Sequence, residues 1–146
     1  MKILVINGPN LNILGKRNKA IYGNKTLAKL ESTLKKQGKN IGADVISFQS
    51  NSEGQIIDFI QQNSSQAAGI IINPGALTHY GYSLRDALVD TGLPTLEVHI
   101  SNIYAREDWR AKSVIAPVAK GQISGLGFRG YIAALQAMVE ELKGDS

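Results

Sequence analysis

KILVINGPNLNILGKRNKAIYG, residues 2–23, decides how the chain is read. Its opening run, KILVI (2–6), is apolar and β-branched, the pattern of a buried strand. A helical pattern follows over 26–38. Strand–helix connections usually take about 2–6 residues. This connector, residues 7–23, is far longer and carries Arg17 and Tyr22 near its end.

Three more runs repeat the character of KILVI: DVISF (44–48), AGIIIN (68–73) and PTLEVHI (94–100). SVIAP (113–117) is taken as a fifth. All are apolar on both faces, as strands of a parallel sheet covered by helices are. Helical patterns lie between and after them at 26–38, 53–64, 82–91 and 130–144. This alternation predicts a flavodoxin-like α/β fold, a doubly wound five-stranded parallel sheet in three α/β/α layers. The 146 residues form one predicted domain, 1–146.

Composition narrows the function. Hydrophobic residues make up 43% and charged residues 19%, which excludes wholesale disorder. No apolar run approaches the ~20 residues that span a bilayer. The chain has no cysteine, which removes disulfides and thiolate chemistry and fits a cytoplasmic protein. The net charge of +4 is concentrated toward the N-terminus, with Lys29, Lys35, Lys36 and Lys39 on or just after the first helix. No aromatic or arginine interleaves them, so they read as a solvated face rather than a nucleic-acid surface.

In open α/β sheets, ligands bind beyond the carboxyl ends of the strands. Those positions are Asn7 onward, Gln49–Asn51, Asn73–Gly75 and His99–Asn102. Asparagine also makes turns and caps, so each one alone has a structural reading. Glu97 and His99 are two apart in a strand and share a face; either the carboxylate orients the imidazole as an acid, or the two are an edge-of-core pair with no role in chemistry. His79, in the loop after Asn73, is either a ligand contact or a solvated residue. Arg106 and Arg110, four apart, fall on one face if AREDWR (105–110) is helical. They either bind substrate or pair with Glu107 or Asp86.

The two histidines lack metal-site spacing, and no GxSxG or P-loop occurs. GLGFRG (125–130) fits GxGxxG but leaves no room for a βαβ unit, so it reads as a turn into the last helix. Tyrosine, with a pKa near ~10, is a poor base at neutral pH. A guanidinium beside it favours the phenolate. Arg17 and Tyr22 with His99 therefore permit a two-sided acid–base elimination, without excluding hydrolysis.

The chain resembles the type II 3-dehydroquinate dehydratases of the shikimate pathway. The resemblance rests on ILVINGPNLNILGKR, IYG, FQSNSEGQIIDFI, GIIINPGALTHYGYSLRDAL, LPTLEVHISNIYAREDWR and SVIAPVAKGQISGLGFRGY, in order from Ile3 to Tyr131. It implies the flavodoxin-like fold and the loss of water from 3-dehydroquinate to give 3-dehydroshikimate, without metal or organic cofactor. By the same resemblance Tyr22 takes the C2 proton to give an enolate, and Arg17 stabilises the tyrosinate. His99, oriented by Glu97, protonates the departing C1 hydroxyl. Asn10 and Asn73 hold polar groups of the site. The amides of Ile100 and Ser101 grip the substrate carboxylate, while Asn73, His79 and Arg110 bind its ring hydroxyls. Asp86 reaches in from a neighbouring subunit, since the family assembles as trimers grouped into dodecamers. Residues 14–22 are then a lid. RNKAIY (17–22) departs from relatives that carry acidic residues and proline there, and Ser52 and Tyr104 stand where histidine is frequent. A non-enzymatic small-anion binding module on the same fold is the alternative reading. A receiver-type signalling domain would need acidic strand ends, which are absent.

Overall fold

The computed structural model describes residues 1–144; the last two residues of the expected 1–146 domain lie outside the described residues. Five parallel strands, β1 (Lys2–Asn7), β2 (Asp44–Gln49), β3 (Gly69–Asn73), β4 (Thr95–His99) and β5 (Gly121–Ser124), pair in the order β2-β1-β3-β4-β5. The first helix, α1 (Lys19–Tyr22), is a single turn inside the long connector. The larger helices are α2 (Leu27–Asn40), α3 (Glu53–Asn63), α4 (Tyr82–Thr91) and α5 (Phe128–Leu142).

Strand alternation sorts the core into two layers. Ile3, Val5, Ile71 and Val98 face α2 and α5, where Leu30, Leu34, Leu135 and Met138 bury against them. Leu4, Ile6, Ile70 and Ile72 face α3 and α4, meeting Ile56, Ile60, Leu84 and Leu88. Local signals set the helix ends. The side chains of Thr26 and Ser52 accept from Lys29 N–H and Gln55 N–H as N-caps. α4 has no side-chain cap of its own; Glu53 on α3 accepts from Leu84 N–H at 3.1 Å instead. A carboxylate at that end also suits the helix dipole.

Four strands lie where the sequence places them, but the fifth does not. SVIAP is not a strand. Ser113 Oγ accepts from the N–H groups of Ile115 and Ala116, folding the segment on itself, and Val114 N–H bonds Thr78 O. Val114 and Ile115 are buried because they plug the α4 layer. The real β5, GQIS, has one apolar side chain and is half-buried throughout. An edge strand has a ladder on one side only, so it lacks the apolar run that betrays a central strand. AREDWR is likewise not one helical face: Arg106 is extended, between the short turns Ile103–Ala105 and Asp108–Ala111. The last helix starts at Phe128, two residues earlier than expected, directly behind Gly127 at φ 63°.

Candidate functional site

The order 2-1-3-4-5 reverses direction between β1 and β3, and the crevice opens there, beyond the strand ends. The two exit loops are pressed together. A Cβ on Gly8 would lie 2.4 Å from Pro74 O, so only glycine fits, and Gly8 N–H bonds Asn73 O at 2.8 Å. Gln49 Nε2 donates to Gly8 O at 3.2 Å, and Asn51 Oδ1 accepts from Asn10 N–H at 2.9 Å. The β2 end therefore braces the site rather than lining it. Asn10 is held at φ 71°, the left-handed region that asparagine tolerates better than most residues.

Asn10, Arg17, Tyr22, Asn73, His79, His99, Ile100, Ser101, Arg106 and Arg110 line one cavity. On one side Arg17 Nη2 donates to Tyr22 Oη at 2.8 Å, with the guanidinium 3.7 Å from the ring centroid. Asn18 makes this possible. Its side chain accepts from Ala20 N–H and its carbonyl from Tyr22 N–H, starting the single turn α1 that presents Tyr22. Arg106 lies 5.3 Å over the same ring and donates from Nη1 to Ser101 Oγ at 3.1 Å. Tyr22 thus lies beside two guanidiniums.

On the other side His99 Nε2 donates to Glu97 Oε2 at 2.5 Å, which leaves Nδ1 for the cavity. Glu97 itself is fully buried behind the histidine. Its Oε2 also accepts from Thr78 Oγ1 at 2.7 Å and Gln122 Nε2 at 2.9 Å, and Oε1 accepts from Ser113 Oγ at 2.8 Å. Burial alone would raise its pKa. The hydrogen bond and charge of His99, with the Thr78 and Ser113 hydroxyls, outweigh burial and hold the carboxyl below its ordinary range.

The neutral polar groups are braced too. Asn73 Oδ1 accepts from Gly75 N–H at 3.0 Å. His79 Nδ1 donates to Lys112 O at 2.7 Å and its ring meets Trp109 edge-on. Arg110 Nε donates to Glu107 Oε2 at 2.9 Å, so it both lines the cavity and keeps the pairing weighed from sequence. Asp86 does not join this group: it is exposed on α4. Leu14 is not part of a free lid either. It is buried in the α2 layer, and the first exposed residue after it is Lys16. Arg106 was visible in the sequence only as one of a pair, whereas Thr78, Ser113 and Gln122 carried no local signal. Among the described residues, no three His, Asp or Glu side chains cluster as metal ligands.

Residues 1–139 match the family model for dehydroquinase class II. A 3-dehydroquinate dehydratase of Halothermothrix orenii is 54% identical, covering 97% of this chain and 96% of the relative. One from Endomicrobium trichonymphae is 56% identical over 94% of this chain and 96% of its own. Among solved structures, the type II dehydroquinase of Butyrivibrio crossotus superposes with a TM-score of 0.92 at 50% identity, covering 94% of this chain and 97% of that one. That of Propionibacterium acnes gives 0.91 at 43% identity, covering 94% and 95%.

Proposed function

The chain belongs to the dehydroquinase class II family and removes water from 3-dehydroquinate to give 3-dehydroshikimate, and we propose that this elimination runs in the cavity between Tyr22 and His99. Tyr22 Oη is the base that takes the C2 proton. Arg17, bonded to that oxygen, stabilises negative charge on it, and Arg106 adds a second positive charge beside the ring. The resulting enolate expels the C1 hydroxyl, which His99 protonates from Nδ1. Glu97 orients the imidazole and stabilises its positive charge. Asn10 and Asn73 hold polar groups of the enolate and ring. The backbone amides of Ile100 and Ser101 receive the carboxylate, and His79 and Arg110 the ring hydroxyls. The observation that carries this reading is the pairing of an arginine-bound tyrosine and a carboxylate-bound histidine on one cavity.

The finer readings rest on the family resemblance. The chain is a cytoplasmic carbon–oxygen lyase assembled as trimers within dodecamers. Tyr82, Asp86 and Val89 share one stripe of α4, and the two apolar members are 56% and 53% exposed. A subunit interface covering that stripe would carry Asp86 to a neighbour's cavity. A non-enzymatic anion-binding module is the reading that the relatives do not support. The test is the absorbance of the conjugated enone formed from 3-dehydroquinate, run alongside light scattering for mass. Folded protein that gives no enone overturns the assignment; a monomer that gives enone at full rate removes Asp86 from the site.

A further inference from the structure

Asn7 and Tyr131 lie outside the cavity, in the α5 layer of the core, and the reaction as described does not use them. Both are almost wholly buried, at 1% and 0% exposure. Asn7 also leaves its Nδ2 buried without a partner among the described residues. An unpartnered buried amide is costly, and an apolar side chain would fill the space without that cost. The compensation is on its other atom. Asn7 Oδ1 accepts the only proton of Tyr131 Oη at 2.7 Å.

That bond has a direction, and the direction passes on. With its proton committed to Asn7, Tyr131 Oη can only accept toward its other neighbour, Asn73. Asn73 Nδ2 meets it at 2.8 Å. From the opposite end, Gly75 N–H donates to Asn73 Oδ1. Gly75 N–H, Asn73, Tyr131 and Asn7 form one chain of donors and acceptors, with no member free to reverse. Burial pushes the Tyr131 hydroxyl well above the ordinary tyrosine range, so it keeps that proton.

We propose that Tyr131, held by Asn7, is a positioning residue that locks the Asn73 amide with its second N–H as the group offered to the ligand. The proposal rests on the reading of Asn73 as a substrate contact. Without the lock the bond from Gly75 N–H alone orders the amide, whose last torsion is broad and roughly two-fold. The Asn73 Oδ1 and Nδ2 are then less firmly sorted between loop and ligand.

The experiment is a cycle of Tyr131→Phe, Asn73→Ala and the double variant, assayed for kcat and KM with 3-dehydroquinate. Folding is followed by circular dichroism and thermal melting. Tyr131→Phe keeps the ring and removes both hydrogen bonds of the hydroxyl, of which the neutral one from Asn73 bears on the ligand, so KM should rise about tenfold while kcat changes less. The double variant should be no worse than Asn73→Ala alone. A melting temperature that falls with KM unchanged overturns the proposal, as do additive effects. If Asn73→Ala has wild-type constants, Asn73 is not a substrate contact; an altered KM in Tyr131→Phe then shows separately that the hydroxyl does not act through it. Should Tyr131→Phe fail to fold, Asn7→Ala removes the acceptor of the same hydroxyl and enters the cycle in its place. The hydroxyl is then free to donate toward Asn73, so the same rise in KM is required.

Discussion

Replacing Glu97 with glutamine keeps the shape of the side chain and deletes its charge. The outcome can be worked from the contacts. Three donors, from His99, Thr78 and Gln122, converge on Oε2, and one, from Ser113, reaches Oε1. A glutamine has one acceptor oxygen, which turns to the crowded position and leaves its NH2 toward Ser113. Ser113 Oγ already accepts from two backbone N–H groups at 3.1 and 2.9 Å, so the amide goes without a partner. A buried unpaired polar group costs about 1–3 kcal/mol. For a domain of this size that lowers Tm by roughly 2–12 °C. The charge adds a separate effect on rate. Hydrogen bonds to charged groups are worth about 1.5–3 kcal/mol against about 0.5–1.5 for neutral ones. A loss of about 1–2 kcal/mol in stabilising positive charge on His99 lowers kcat roughly 5- to 30-fold. Initial rates of enone formation at saturating 3-dehydroquinate, with a thermal melt beside them, read both effects. A folded Glu97→Gln protein with kcat within about twofold of wild type would refute the role assigned to the carboxylate.

Tyr22→Phe keeps the ring under Arg17 and removes only the oxygen; turnover should fall by about 10²–10⁴, the usual worth of a general base, with Tm almost unchanged. Gly8→Ala drives a methyl into Pro74 O and separates the two exit loops, so Tm falls by the equivalent of about 1–3 kcal/mol and KM rises; an unchanged melt would show that the loops are not rigidly apposed. Acid pH acts through Glu97. Its folded pKa is depressed, so its stabilisation is complete above the ordinary value of 4.5 and is lost as pH falls through the folded one. Acid denaturation should therefore be steeper for wild type than for Glu97→Gln, and parallel profiles would count against a buried ionised carboxylate.

The parts legible in the sequence are those fixed by short-range rules. KILVI and AGIIIN read as strands because central parallel strands are buried on both faces. Glu97 and His99 could be placed together by strand parity alone. SVIAP reads as a strand because a buried turn and a buried strand share an apolar pattern, whereas GQIS does not because an edge strand needs little apolar surface. The strand-end asparagines divided as their chemistry allows: Asn10 and Asn73 reach the cavity, while Asn51 and Asn102 accept backbone N–H bonds in loops. Contacts that join distant segments left no local trace. Ser113, Gln122 and Thr78 meet Glu97 from three separate stretches, and Tyr131 meets Asn7 across 124 positions.

The burial of Leu14 sets the entropy of closing the site. Leu11 and Leu14 are 2% and 3% exposed, and Leu27 packs on the same layer beyond Tyr22. The chain between is tethered at both ends, and its second half is already wound into a turn behind Asn18. Ordering one residue costs about 1–2 kcal/mol of backbone freedom. A short tether therefore limits what substrate binding must offset to hold the Arg17–Tyr22 pair in place over the cavity. Inserting glycines after Gly15 would lengthen the free segment and raise KM, although no side chain of the site is changed.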